Sequence, residues 1–545
     1  MEKVNTDILI IGGGLAAMMA ALEAAGSSLS VLMVSKGAVG NSGATLMAYA
    51  NFAAVLPEGE EKGDTISAHA EETCAAGAHI NDPDLVRALA ANAPGDLMLL
   101  ERLGLNFIKR EGRFDLRKPP GHLRPRTVFT VNPGYPIHIR GKSITAPLRE
   151  RVMERSIPLM EGVGIVKLVA ENGRIAGALG VRRNSGEMVA VECRAVILAG
   201  GGGGFLYEKN TNPGGITGDS YALAMEAGCP LRDMEFVQFF PCVHLESPRI
   251  LISSPILSDG AVLRNKDGER FMARYEPERM ELATRDAVSQ AIYREIRQGG
   301  GINGGVYLDI TGVPRELLAF RFPDLIAAFK RRGIDLHTQP ILVAPAAHFF
   351  MGGVAIDPAC RTAVDGLYVA GEASGGIHGA NRLSGNGLSD ALVFGRIAGQ
   401  SAVRYAGERE GVTAPDEAFR PAAGQSGPAV GRERIQALRV ALKKTMWDEV
   451  GIVRRGAGLA EALARMEAWQ KALEEGQPER PEDRGAFFEA RSMLLASRAV
   501  ASAALFREES RGAHFRDDFP DTKAEWVKSV YTRLEGGQIR SSFVA

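Results

Sequence analysis

The sequence predicts an α/β fold, in which a parallel-sheet domain is interrupted by an inserted α+β segment and followed by a mostly helical C-terminal region. Three observations predict it. The chain opens with a strand–turn–helix–strand run over Thr6 to Val34, two later apolar strands end at the glycines Gly200 and Gly371, and composition turns helix-forming after Glu433. The 545 residues exceed what one hydrophobic core organises. We expect the sheet domain over 1–239 and 346–420, a capping domain over 240–345 and a helical domain over 432–545.

Thr6 to Ile11 is a short apolar strand, Leu15 to Ala25 an alanine-rich helix and Ser30 to Val34 a second strand, which together make a βαβ unit. A glycine-rich stretch follows at Lys36 to Gly43, and Asp82 to Leu103 carries apolar residues at helical spacing. Alternation over Arg174 to Val191 predicts a small antiparallel sheet, and Ala195 to Leu198 is a buried strand running into Ala-Gly-Gly-Gly-Gly-Gly. Between Phe240 and Val343 the chain changes to polar turns and Arg-rich segments, with an interrupted helix at Asp286 to Arg297. Asp365 to Ala370 restores the strand pattern, and a Pro/Gly/Ser-rich linker at Arg420 to Gly431 precedes amphipathic helix to the end.

Composition narrows the function. A formal charge of -1 gives no electrostatic reason to bind nucleic acid or an anionic membrane surface. No apolar run reaches the roughly 18 residues that span a bilayer. Met1 to Thr6 leads straight into a strand, so no secretory signal is expected. Cys74, Cys193, Cys229, Cys242 and Cys360 are scattered without a C-x-x-C pair, which argues against a cluster or structural zinc in this chain and for free thiols in a cytoplasmic protein.

The segment Ile10-Ile11-Gly12-Gly13-Gly14-Leu15-Ala16-Ala17 fits the dinucleotide pattern G-x-G-x-x-A in a Rossmann-like setting. Gly12 permits the tight turn, Gly14 lets backbone approach a pyrophosphate and Ala17 lets the helix pack on the sheet. The usual acidic residue after the second strand is absent, and Ser35-Lys36 stand there. Gly200 and Gly201 after the strand Ala195–Leu198, and Glu372 after Gly366-Leu-Tyr-Val-Ala-Gly371, supply two further strand ends. Glu372 is placed to accept from a ribityl or ribose hydroxyl. Three strand ends on one ligand suit the extended FAD better than NAD.

The run from Gly371 through Ala373, His378, Asn381, Arg382, Ser384, Asn386 and Leu388 resembles a signature of the succinate dehydrogenase/fumarate reductase flavoprotein family, much of it shared with L-aspartate oxidase. Thr217-Gly218-Asp219, Asp233-Met-Glu-Phe236, Gly268-Glu-Arg-Phe271, Thr284-Arg-Asp286, His348 to Gly353 and Glu509 to Arg516 extend the resemblance over nearly the whole chain. It implies hydride transfer between flavin N5 and a carboxylate-bearing substrate, with Arg382 as carboxylate clamp, His348 as a second polar contact and Arg285 as proton donor. It further implies FAD contacts from Ser42, Thr45 and Asp219 and from the loop Ser384 to Leu388, where a helix N-terminus favours negative charge on the reduced ring. An iron–sulfur subunit is the implied electron partner, through which any membrane attachment would run.

Four positions depart from the family. Ala44 stands where flavin-attaching members carry a histidine, which implies non-covalent FAD of lower potential. Gln238-Phe-Phe-Pro-Cys242 lacks the substrate-side histidine and threonine, with His244 nearby as a substitute left open. Ser254 to Gly260 replaces the relay glutamate and arginine by Ser254 and Leu257, keeping only Asp259 acidic. Ala50-Asn51 replaces a glycine pair. One wall is thus expected to suit a less charged or bulkier substrate than fumarate. Three readings follow: a fumarate reductase-like flavoprotein subunit, a stand-alone enzyme of the L-aspartate oxidase kind, and an electron-transfer flavoprotein without its own small-molecule substrate.

Overall fold

The computed structural model describes residues 1–119, 121–246, 248–409, 414–421 and 427–544. Part of the linker read at Arg420 to Gly431, residues 422–426, lies outside the described residues. At the centre is an all-parallel five-stranded sheet in the order Leu367–Val369, Ala195–Leu198, Ile8–Ile11, Val31–Ser35, Leu159–Glu161. Ile8, Ile10, Val31 and Met33 point into one apolar layer and Leu9, Ile11, Leu32 and Val34 into the other. Both faces are covered, which is why these strands read as unbroken apolar runs.

Two helices, Leu15–Ala24 and Asn386–Glu408, cover one face and cross closely. A Cβ at Gly395 would stand 2.6 Å from the Ala16 carbonyl oxygen, and one at Gly399 2.7 Å from that of Ala20, so only glycine permits the approach. The other face packs on a four-stranded sheet containing the antiparallel strands Val163–Glu171, Arg174–Arg182 and Met188–Glu192. The helix Pro83–Arg102 is capped by Asp82, whose carboxylate accepts from the Asp84 and Leu85 N–H groups.

Strands Val237–His244 and Ile341–Phe350 leave this domain side by side and continue into a second sheet with Ile250–Leu251, Val306–Asp309 and Val262–Arg264. That sheet and its helices have a separate apolar core from Cys242 to Val343. The helix expected to be interrupted at Asp286 to Arg297 is continuous over Arg285–Arg297. Val288, Ala291 and Ile292 pack inward, and the two polar residues buried with them are satisfied, Ser289 by the Phe239 carbonyl oxygen and Glu295 by Arg274 and Asn265, so the polar positions do not break the helix.

The C-terminal region consists of helices Arg432–Glu449, Gly456–Glu474 and Arg484–Phe506. Beyond Phe506 the expectation of helix fails. The chain ends in a hairpin, Tyr531–Glu535 with Gln538–Ser542, turning at Gly536 and Gly537 with φ of +58° and +81°. The hairpin extends a sheet with Leu231–Arg232, Gly353–Ala355 and Ser374–Gly375, tying the chain end back to the middle of the chain. Glycines at a two-residue turn between alternating segments were the signal for it.

Among the described residues no helix is long and apolar enough to cross a membrane, and no group of His, Cys, Asp and Glu side chains is placed to hold a metal ion.

Candidate active site

One cavity of about 580 Å³ runs along the carboxyl ends of the central strands and under the second sheet. Gly12, Gly14, Ser35, Lys36, Ser42, Thr45, Gly200, Gly201, Asp219, Glu372, Ser384 and Leu388 all line it, as do Arg285, His348 and Arg382. Gly12 has φ +135°, and a Cβ there would stand 2.2 Å from the Ala199 carbonyl oxygen, so the turn brings two strand ends into contact. The Leu15 N–H donates to Thr45 Oγ1 at 3.1 Å at the start of the first helix. Lys36 Nζ donates to Thr217 Oγ1 at 2.6 Å and pairs with Asp219 and Glu489. The lysine at the end of the second strand therefore joins three segments beneath the cavity instead of taking the role of the missing acidic residue.

Glu372 is enclosed, with Oε1 accepting from the Phe350 N–H at 3.0 Å, and burial pushes its carboxyl up to about 7. Two expected residues lie off the cavity wall. Ala17 is buried in the helix–sheet layer, as its small size demands. Asn386, expected beside the cofactor, instead has its Oδ1 2.9 Å from His69 Nε2 and donates from its amide to Thr73 Oγ1 at 3.0 Å. It anchors the helix start from behind. His122 does the same for the loop, with Nε2 2.8 Å from the Ser384 carbonyl oxygen.

At the far end of the cavity stand two guanidinium groups. Arg285 begins the helix Arg285–Arg297, and Arg382 lies in the loop before Asn386–Glu408. Arg285 Nη1 and Arg382 Nη2 donate to the same oxygen, Gln238 Oε1, at 3.1 and 2.8 Å. The Gln238 amide donates in turn to Asn381 Oδ1 and the Arg382 carbonyl, both at 3.0 Å, which fixes the amide's orientation. Phe240 lies under Arg285 at 4.8 Å and Phe349 under Arg382 at 4.3 Å. Neither arginine forms an ion pair with a carboxylate among the described residues. Burial and the Arg382 charge bring the Arg285 guanidinium down to about 9, and burial brings Arg382 down to about 10.

His348 packs edge-on against Phe240, and its Nδ1 lies 2.9 Å from Thr211 Oγ1. Burial and the two arginine charges hold its imidazole well below its usual range, so it is neutral at ordinary pH. The result is a small positive pole with hydrogen-bond donors, on which Glu372 and Asp390 act only from a distance, and such an environment suits an anion.

The departures from the family also have places. Ala44 lines the cavity beside Ser42 and Thr45. Ala50 has φ +57°, so the backbone keeps a glycine-like conformation with an alanine in it. Ser254 lines the cavity with a buried Oγ that has no partner, Leu257 is in the apolar core, and Asp259 pairs with Arg321 away from the cavity. His244 faces away, its Nδ1 2.8 Å from the Leu342 carbonyl oxygen and its ring against Phe329, while Cys242 is in the core. Neither replaces the missing substrate-side groups.

A family model described as an FAD binding domain matches residues 7–388, and one described as the fumarate reductase flavoprotein C-term matches residues 439–542. The chain belongs to the fumarate reductase/succinate dehydrogenase flavoprotein family. It is an FAD-dependent oxidoreductase with the α/β Rossmann-like fold read from its sequence. The fumarate reductase (CoM/CoB) of Methanothermobacter marburgensis contributes a relative that is 40% identical over 550 residues, covering 97% of each chain. An L-aspartate oxidase of Streptomyces coelicolor is 34% identical over 97% of this chain and 92% of its own length. Among solved structures, FrdA of Escherichia coli quinol fumarate reductase superposes with a TM-score of 0.88 at 28% identity, covering 100% of this chain and 97% of that one. Sdh1 of Mycobacterium smegmatis gives 0.87 at 33%, covering 100% and 94%.

The cavity of this family member suits FAD in two observed ways. Three strand ends meet along it, and the helix Leu15–Ala24 starts at its wall without an acidic residue in the first turn, so the positive end of its dipole is left uncompensated for a pyrophosphate. Arg249, His138, Tyr49 and Ser253 also line it. They escaped the sequence reading because no motif contains them.

Proposed function

We propose that this flavoprotein moves a hydride to or from the carbon skeleton of a carboxylate-bearing substrate, exchanging electrons with an iron–sulfur partner. The observation that carries this reading is the pair of arginines, Arg285 and Arg382, joined through Gln238 and without a carboxylate of their own. Bound FAD supplies the two-electron chemistry. The cofactor is held without a covalent bond, since Ala44 offers no nucleophile at the position where some relatives carry histidine.

Arg382 and neutral His348 orient a carboxylate by charge-assisted and neutral hydrogen bonds, and Phe240 closes the wall beside them. Arg285 supplies a proton to the substrate carbon opposite the hydride. A guanidinium brought down to about 9 gives up its proton far more readily than one at its ordinary value. The glutamate and arginine that the family resemblance implies as a relay for that proton are Ser254 and Leu257 here. Refilling therefore proceeds from solvent when the capping domain over 240–345 opens.

The test is anaerobic. The flavin is reduced, fumarate is added and the flavin absorbance is followed. Rapid reoxidation supports the reading, while a reduced flavin that persists in Arg285-intact protein rejects fumarate as acceptor. The relatives named L-aspartate oxidase favour a second reading, a stand-alone enzyme, which predicts that the purified chain turns over L-aspartate with oxygen and no partner.

A further inference from the structure

The hairpin of the second sheet contributes a feature that the arginine pair does not explain. Val243 lies opposite Leu251 across the hairpin, and both line the cavity together with Phe240. Two residues before Leu251, Arg249 lines it too. The Arg249 guanidinium donates to the backbone carbonyl oxygens of Asn210 and, at 3.4 Å, of Glu208. A guanidinium has five N–H groups, so others remain for a ligand. No carboxylate forms an ion pair with Arg249 among the described residues. The Lys443 ammonium lies near enough to feel the Arg249 charge, and the Glu208 carboxylate acts on both without pairing with either.

Phe240 marks the first pole, because Arg285 lies over its ring and His348 against its edge. Phe240 faces Ala346 and Val243 faces Ala344 across a bulge, so the strand advances by about two residues' rise, roughly 7 Å. The wall between is apolar, Phe240, Val243 and Leu251, and it ends at a cation. We propose that Arg249 is a second anion-binding pole of this cavity, and that the substrate carries an anionic group at each end of an apolar segment longer than the fumarate skeleton. This rests on the carboxylate reading above and gives its substrate class. It also gives Ser254 a reason: on the cavity wall it brings no negative charge into a chamber that must hold a longer diacid.

The experiment uses oxidised holoprotein and the inert diacids malonate, glutarate, adipate and suberate, each titrated against the flavin absorbance and by calorimetry. The wild type is expected to bind suberate or adipate at least about tenfold tighter than malonate, one charge-assisted contact being worth that much. Arg249→Gln should lose this advantage and leave malonate binding unchanged, and Arg249→Lys should retain part of it. Affinity that does not depend on diacid length overturns the proposal. So does an Arg249→Gln protein that loses malonate and suberate equally, which makes Arg249 a closure contact, or one that loses flavin on gel filtration, which assigns it to the cofactor. Wild-type protein that binds none of the acids, with Arg285→Gln indistinguishable from it, rejects the carboxylate reading beneath the proposal.

Discussion

Arg285, at the start of the helix Arg285–Arg297, and Arg382, in the loop before Asn386–Glu408, converge on a single acceptor, with Gln238 Oε1 at 3.1 and 2.8 Å. Like charges held this close repel, and the shared carbonyl dipole offsets part of that cost while leaving the pair net positive. Gln238 is thus the residue that lets an anion, and not a protein carboxylate, complete the site.

Replacing it gives the first prediction. Gln238→Glu places a carboxylate between the guanidiniums and neutralises the pole. Malonate affinity should fall at least about tenfold while thermal stability rises, because a paired charge replaces a dipole. Gln238→Met should lower both. A Gln238→Glu protein that binds malonate like the wild type contradicts the assignment of the pole.

The pH dependence of anion binding follows from the same two groups. Arg285 at about 9 and Arg382 at about 10 are both protonated below those values, so malonate affinity should be flat from pH 6 to about 8.5. It should then fall as pH rises through about 9, since the anion binds the charged form. His348 is neutral throughout and should produce no inflection near its ordinary value. A break near pH 6.5 in the titration, abolished by His348→Gln, would show the imidazole binding as a cation.

Glu372 provides a third, on the cofactor. Its carboxyl is raised to about 7 by burial, so its contribution to folding is present below the ordinary carboxylate value and lost as pH rises through about 7. Under the proposed role of Glu372, a hydroxyl donated by bound FAD favours the ionised form. FAD affinity of the apoprotein, followed by flavin fluorescence, should therefore weaken a few-fold as pH falls below about 7, and Glu372→Gln should flatten the profile. Acid precipitation of the holoprotein should release all flavin to the supernatant, as expected when Ala44 forms no link.

How much of this was legible in the sequence depends on the range over which each signal acts. The glycine turn at Gly12, the strand Ala195–Leu198 and the helix after Asp82 are set by neighbouring residues, and they stand within a residue or two of where the sequence put them. Gln238 is 47 positions from Arg285 and 144 from Arg382, and no local pattern announces a shared acceptor at such separations. For Asn386 a motif fixes which residue occurs and not which way its side chain turns. His69 and Thr73 decide that, from another helix. The final hairpin was missed because the alanine-rich helix Arg484–Phe506 dominates the composition of the region while the turn rests on Gly536 and Gly537 alone.

Ala50 is the place where a departure from the family pattern should carry a measurable cost. It sits at φ +57° and fully buried, just before the strand Asn51–Ala53, whose Asn51 side chain donates to Ser384 Oγ at 3.1 Å. A left-handed conformation costs an alanine roughly 1–2 kcal/mol, and glycine avoids it while losing more chain entropy on folding, about 0.5–1 kcal/mol. Ala50→Gly should therefore stabilise the protein by up to about 1 kcal/mol, readable as a higher midpoint in denaturant. Ala50→Val should destabilise it by more, because a branched Cβ tolerates this region least. If Ala50→Gly instead lowers the midpoint, the methyl group contributes more through packing in the layer it shares with Phe52 and Ala54 than its backbone costs, and this wall of the site has been rebuilt around an alanine.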